Sequence, residues 1–221
     1  MRCMLWKTSA PIILLLNLLV MLSGEAAAEP TYIVAFGDSI VHGPGVSLTE
    51  AFPAQLENML RADGFNVQVI NAGVDGDTTP RMLMRMDSVI PQGTKIVIVH
   101  GGPNDFNSQQ HGLSVEQSEA NIEAIVSRLR AQQIQVVLCD SHTSRASLAR
   151  KYGAALAKCY DHSHLVDGLH LDVTGHRIIA NRLLPVIEGL LRTNAVSESS
   201  PSREPAPPQR TDVLRLGPGP R

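Results

Sequence analysis

Between residues 29 and 193 short apolar runs alternate with longer segments whose apolar residues recur every three or four positions. No other feature constrains the chain as much, because continuous apolar runs read as strands buried on both faces and the amphipathic segments as the helices covering them. The fold class is therefore α/β with a mainly parallel sheet. Strands are predicted at residues 32–36, 67–70, 95–100 and 135–139, with a short fifth at Leu165 and Val166. Helices are predicted at residues 47–63, 79–89, 146–158 and 173–191, and from Ser114 along a stripe through Ile122, Ile125, Val126 and Leu129. Ser47 with Glu50 and Ser114 with Gln117 have capping-box spacing. Gly64 is placed to stop the first of these helices and Asp172 to cap the last.

Both ends depart from this pattern. Arg2 and Lys7 precede an apolar stretch at residues 12–22, interrupted by Asn17, and Ala26-Ala27-Ala28 stands before Glu29. That is the order of a secretory signal, and the stretch is shorter than the roughly 20 residues a bilayer span requires. Residues 1–28 are read as a cleaved signal peptide and the product as periplasmic or secreted, without a stable membrane anchor. Beyond residue 193 the chain is rich in Ser, Pro, Gly and Arg, with six prolines from Pro201 to Pro220. Such a composition buries too little surface to offset ordering entropy, so residues 194–221 are expected to be a disordered tail. One domain, residues 29–193, is left between the ends. Cys139 and Cys159 belong to it, and the sequence leaves open whether they pair or pack as two buried thiols.

In a parallel α/β sheet, ligands bind where strands end and helices begin. Four such places carry chemistry. After the first strand comes Gly37-Asp38-Ser39, which puts a hydroxyl at a tight turn. After the second comes the Gly-rich segment from Asn71 to Thr79, where a backbone N–H of Gly73 or of Gly76 can approach a ligand closely. After the third comes Gly102-Pro103-Asn104-Asp105, which presents an amide donor. Near the end, Asp167 and His170 stand three residues apart in a turn before the last helix. A serine, an imidazole with its carboxylate and two separate donors are the parts of an acyl-transfer site.

In this order the four blocks resemble the SGNH/GDSL hydrolase family, specifically its thioesterase, arylesterase and lysophospholipase branch, over residues 32–191. Ile40 stands where that family usually has leucine, and Pro103 where it more often has glycine. The resemblance implies a three-layer α/β/α sandwich of flavodoxin-like form with a five-stranded sheet. It also implies Ser39 as nucleophile, His170 as base and Asp167 as the group orienting it. The oxyanion hole would comprise the N–H groups of Ser39 and Gly76 and the side-chain amide of Asn104. Neither a metal nor an organic cofactor is required. The expected reaction is hydrolysis of carboxylic esters or thioesters through an acyl-serine, on short-chain, aryl, acyl-thioester or lysophospholipid substrates. Deacetylation of a polysaccharide or cell-wall sugar uses the same residues. Residues 141–166 are short for this branch, which points to an open substrate site.

Other classes fit less well. The net charge is −2 with both signs interspersed, so no basic face points to nucleic acid. No Gly-x-Ser-x-Gly occurs, which disfavours an α/β-hydrolase elbow. Gly43-Pro44-Gly45 lacks the third glycine of a dinucleotide fingerprint, since Leu48 occupies that place. A metal-binding module is the alternative outside enzyme chemistry, because Asp161, His162, His164, Asp167, His170 and His176 crowd one region.

Overall fold

A computed structural model describes residues 28–106, 112–140, 145–160 and 163–199. Its sheet contains β1 (Thr31–Gly37), β2 (Val67–Gly73), β3 (Ile96–His100), β4 (Gln135–Cys139) and β5 (Ala155–Ala157). All neighbours run parallel, in the order β2-β1-β3-β4-β5. The chain leaves β1 for β2 on one side and returns to β3 on the other, so the crevice beyond the carboxyl ends of β1 and β3 is the topological switch point. Gly37 pairs with both Gly73 and His100, which sets the ends of β1, β2 and β3 level.

The helices are α1 (Ser39–His42), α2 (Phe52–Ala62), α3 (Thr79–Val89), α4 (Val115–Ala131), α5 (Ala146–Tyr152) and α6 (Val173–Ser199). Side chains alternate across each strand, so the buried strands feed two cores. On one face Ile33, Ala35, Ile98 and Val137 pack with Phe52, Leu56 and Leu60 of α2 and with Ile179, Leu183 and Ile187 of α6. On the other, Val34, Phe36, Val99 and Leu138 pack with Met82 and Met86 of α3 and with Ile122, Ile125 and Leu129 of α4. The result is the three-layer α/β/α sandwich. A disulfide joins Cys139, the last residue of β4, to Cys159, just beyond β5.

Three expectations need correction. The fifth strand is Ala155–Ala157 and not residues 165–166, where Leu165 makes only an isolated bridge to Leu171. Gly153, at φ +60°, ends α5 at Tyr152, and the alanine-rich stretch after it, which carries no periodic signal of its own, pairs with β4. The helix expected from Ser47 begins at Phe52. Pro53 has no N–H for the carbonyl four residues back and fits only in a first turn, so Ser47 and Glu50 close a separate turn through Oγ–Oε2 (2.7 Å) and N–Oε2 (3.0 Å) contacts. The last helix, expected over residues 173–191, runs to Ser199. No glycine or proline stands between Gly189 and Pro201, Thr193 Oγ1 bonds back to the carbonyl of Gly189 (2.7 Å), and the Asn194 amide reaches Gln135 Oε1 (3.0 Å). Residues 1–27 and 200–221, which hold most of the predicted signal and most of the predicted tail, lie outside the described residues.

Candidate active site

Ser39 is the first residue of α1. Asp38 caps that helix, its Oδ1 accepting the N–H of Ile40 at 3.0 Å, and Gly43 at φ +89° ends it. The turn is this tight because β1 and β3 converge: a Cβ on Gly37 would lie 2.0 Å from the carbonyl oxygen of His100. Only glycine fits there. The serine is thus held on a one-turn helix at the switch point, with 8% of its surface exposed.

The neighbouring segment is tied down from several sides. Arg85 of α3 donates through Nη2 to the carbonyls of Gly37 and Ala72, both at 2.9 Å, and through Nε to buried Asp77 at 2.7 Å. One guanidinium therefore clamps the ends of β1 and β2 to the loop holding Gly76. His42 Nδ1 lies 2.8 Å from Asp75 Oδ1 and ties α1 to the same loop. The two candidate glycines have different surroundings. The Gly73 N–H is engaged by Asn71 Oδ1 at 3.0 Å, and a Cβ there would meet His42 N at 2.2 Å, so this glycine serves close backbone packing. Gly76, at φ +65°, has open space where a side chain would stand.

Asn104 lies in a 3-10 turn, Pro103–Phe106, and its Nδ2 donates to the Asp77 carbonyl at 2.8 Å, which leaves its second amide proton available. Buried Asp105 fixes this turn to the start of α3, accepting from Thr79 N (2.8 Å) and Thr79 Oγ1 (2.7 Å). Arg145, 1% exposed, supports it from beneath through the Gly101 carbonyl at 2.8 Å.

Asp167 and His170 form a closed turn. Asp167 Oδ2 lies 2.7 Å from His170 Nδ1, while Oδ1 accepts the N–H of His170 (2.6 Å) and of Leu169 (2.9 Å). Gly168 at φ +79° permits that wrap. The backbone N–H of His170 above all, then its imidazole and the N–H of Leu169, hold the Asp167 carboxyl down to about 2. Facing a carboxylate, Nδ1 is the ring nitrogen placed to donate.

A cavity of about 200 Å³ adjoins Ser39, Asn104 and the Asp167–His170 turn, although neither Asp167 nor His170 lines it directly. Ser39, Asn104, Tyr160, Leu165 and the Gly168-Leu169 link between Asp167 and His170 all line it. Gly76 does not line it and is connected through the Asn104–Asp77 bond. Among the described residues no hydrogen bond joins the Ser39 hydroxyl to the His170 ring. A larger hollow of about 610 Å³, lined by Gln92, Thr94, Lys95 and Ile134, opens at the amino ends of β3 and β4, away from the serine. His164 faces Asp172 at 3.7 Å, His176 is buried beside Phe52, and His162 lies outside the described residues. Among the described residues no three His, Cys, Asp or Glu side chains converge as a metal site.

Sequence reasoning did not single out Arg85, His100 or Arg145. Signals existed for two of them: Asp77, Arg81 and Arg85 recur at four-residue spacing, and His100 is the one polar residue closing an apolar strand. Arg145 gave none.

A parallel sheet in this strand order, covered by helices on both faces and carrying a serine at its switch point, is the α/β/α scaffold of SGNH hydrolases. The sequence profile of the GDSL-like lipase/acylhydrolase family matches residues 35–178, and the chain belongs to that family. It is similar to esterase TesA of Pseudomonas aeruginosa, 29% identical over 121 residues, covering 54% of this chain and 58% of that protein. It is also similar to the Escherichia coli K12 protein named thioesterase 1/protease 1/lysophospholipase L1, 29% identical over 143 residues, 64% of this chain and 65% of that one. The match thus spans about six-tenths of the length of these relatives. Among solved structures, AlinE4, described as an SGNH-hydrolase family esterase, superposes with a TM-score of 0.57 at 29% identity, over 79% of this chain and 99% of that one. A crystal structure of TesA superposes at 0.63 with 20% identity, over 72% of this chain and 99% of that one, a likeness of fold.

Proposed function

We propose that the protein hydrolyses carboxylic esters and thioesters through an acyl-Ser39 intermediate. His170 Nε2 takes the Ser39 proton as Oγ attacks the carbonyl carbon, and Asp167 holds the imidazole in the required tautomer and stabilises imidazolium. The N–H groups of Ser39 and Gly76 and the free amide proton of Asn104 receive the oxyanion. Imidazolium then protonates the leaving alcohol or thiol, and water, deprotonated by the same imidazole, releases the acid and restores Ser39. The observation that carries this reading is the single cavity at the switch point that joins Ser39, Asn104 and the Asp167–His170 turn.

The volume supports a small acyl group. At about 200 Å³ the cavity is below the roughly 300–1,000 Å³ of sites that enclose drug-sized ligands. We place the enzyme outside the cytoplasm, in the periplasm or secreted. The Cys139–Cys159 disulfide and the signal-like order of residues 1–28 support that location.

A fluorophosphonate probe should label the wild type and not Ser39→Ala, and esterase activity should vanish with the label. An unlabelled wild type, or a mutant of undiminished activity, would contradict the mechanism. A chain-length series of p-nitrophenyl esters beside an acyl-CoA, a lysophospholipid and an acetylated glycan identifies the acyl carrier. Preference for long acyl chains would count against the short-chain reading.

A further inference from the structure

Behind the serine lies a polar pair that the reaction itself does not use. His100 is fully buried at the end of β3, and its Nδ1 stands 3.1 Å from Asp38 Oδ1. That same oxygen caps α1 at Ile40 N, immediately next to Ser39. Asp38 is itself 1% exposed, so a carboxylate in this place needs a fixed donor. The ring is held from its other side as well: its face stacks on Tyr160 at 4.5 Å between centroids, and Tyr160 lines the cavity shared with Ser39. The backbone of His100 is the group that Gly37 abuts. Side chain and main chain of one residue therefore brace both sides of the turn from which the serine projects.

We propose that His100 is a positioning residue for Ser39, acting through Asp38. Its Nδ1–H donates to Asp38 Oδ1, which fixes the rotation of the carboxylate, and the carboxylate fixes the first turn of α1 and hence the direction of the Ser39 hydroxyl. Among the described residues buried His100 Nε2 has no hydrogen-bond partner, and the ring is held there through Nδ1 and through stacking. Only a donor at the Nδ1 position performs this role. The inference rests on Ser39 being the nucleophile.

Asparagine places its amide where Nδ1 stands, whereas glutamine places it where Nε2 stands, so the two polar variants separate the contact from mere occupancy. With active sites counted by fluorophosphonate titration, His100→Gln should lower kcat by about 10- to 100-fold with KM within about 2-fold, the scale of a misdirected catalytic group. His100→Asn should recover kcat to within about 3-fold of wild type, because one buried hydrogen bond is retained. Wild-type kcat in His100→Gln, or equal losses in both variants, overturns the proposal. A measurement on the unmutated chain decides it independently of how the variants fold: nitrogen-15 NMR of His100 should give the Nδ1–H tautomer, and an Nε2–H tautomer overturns the Asp38 contact. Failure of the probe to label wild-type Ser39 would remove the acyl-serine mechanism, whereas labelling together with an unaffected His100→Gln removes only this inference.

Discussion

The Asp167 carboxyl is held by three donors at once, two of them backbone N–H groups, and that division of labour has a measurable consequence. An ordinary aspartate titrates near 3.9, whereas this one is lowered to about 2. The backbone N–H of His170 is the largest cause, and it survives replacement of the side chain. In His170→Ala the carboxyl, followed by carbon-13 NMR, should therefore move up only part of the way toward 3.9. A full return would show that the imidazole alone held it down. Asn104 permits a second test at this scale. Removing one oxyanion donor lowers kcat by about 100- to 1,000-fold, so Asn104→Ala should fall in that range with KM little changed. Its bond to the Asp77 carbonyl is lost as well, and Asn104→Asp, which cannot donate, should be as impaired as alanine. Ser39 was legible from its place just after a strand and Asp167 with His170 from their three-residue spacing in a turn, whereas Asn104 rested more on the family resemblance. Gly76 was preferred to Gly73 on that resemblance alone; the engagement of the Gly73 N–H by Asn71 from two positions away, which is consistent with the preference, has no sequence signal.

At the level of elements, pattern succeeded where period and punctuation agree and failed where they diverge. Helix α3 and strand β4 were legible to the residue because Thr79-Pro80 opens the one and an unbroken apolar run defines the other. β5 was not, because three residues between a glycine and the disulfide are too short to show a period. The start of α2 was mistaken because a capping-box spacing at Ser47 is satisfied without a helix, and Pro53 decides the matter. The packing of α6 on α2 makes a further prediction. His176 of α6 is buried, stacks on Phe52 and accepts the Phe52 N–H at 3.3 Å. Burial pushes the imidazole down to about 4, against about 6.5 when exposed. Between those values the unfolded chain binds a proton that the native chain does not, so stability rises with pH across this window. The contribution is complete above about 6.5 and is lost as pH falls toward 4. In His176→Asn the side-chain oxygen still accepts the Phe52 N–H but does not titrate. The fall in Tm between pH 7 and pH 4.5 should be smaller in that variant than in the wild type, and equal falls would remove His176 as the cause.

The whole molecule combines a candidate site at three adjacent strand ends with a covalent tie at the same edge, Cys159 itself lining the cavity shared with Ser39. The tie joins the end of β4 to the segment that supplies Tyr160 to the cavity wall, so it bears on folding and on the site together. The two cysteines are 20 positions apart. Closing a loop of that length in the unfolded chain corresponds to about 3 kcal/mol of stability on chain-entropy grounds. The disulfide forms where the compartment is oxidising, which connects it to the reading of residues 1–28. Two preparations separate the alternatives: the full chain expressed with its own N-terminus, and a chain beginning at Glu29 made in a reducing cytoplasm. The first should be exported and show no free thiol at Cys139 or Cys159. The second should show two, unfold in urea at a lower midpoint by an amount corresponding to about 3 kcal/mol, and regain the difference on mild oxidation. The Cys139→Ala/Cys159→Ala variant should match the reduced form in the same assay. A full chain that keeps both thiols free, or a reduced form as stable as the oxidised one, would separate this disulfide from both export and stability.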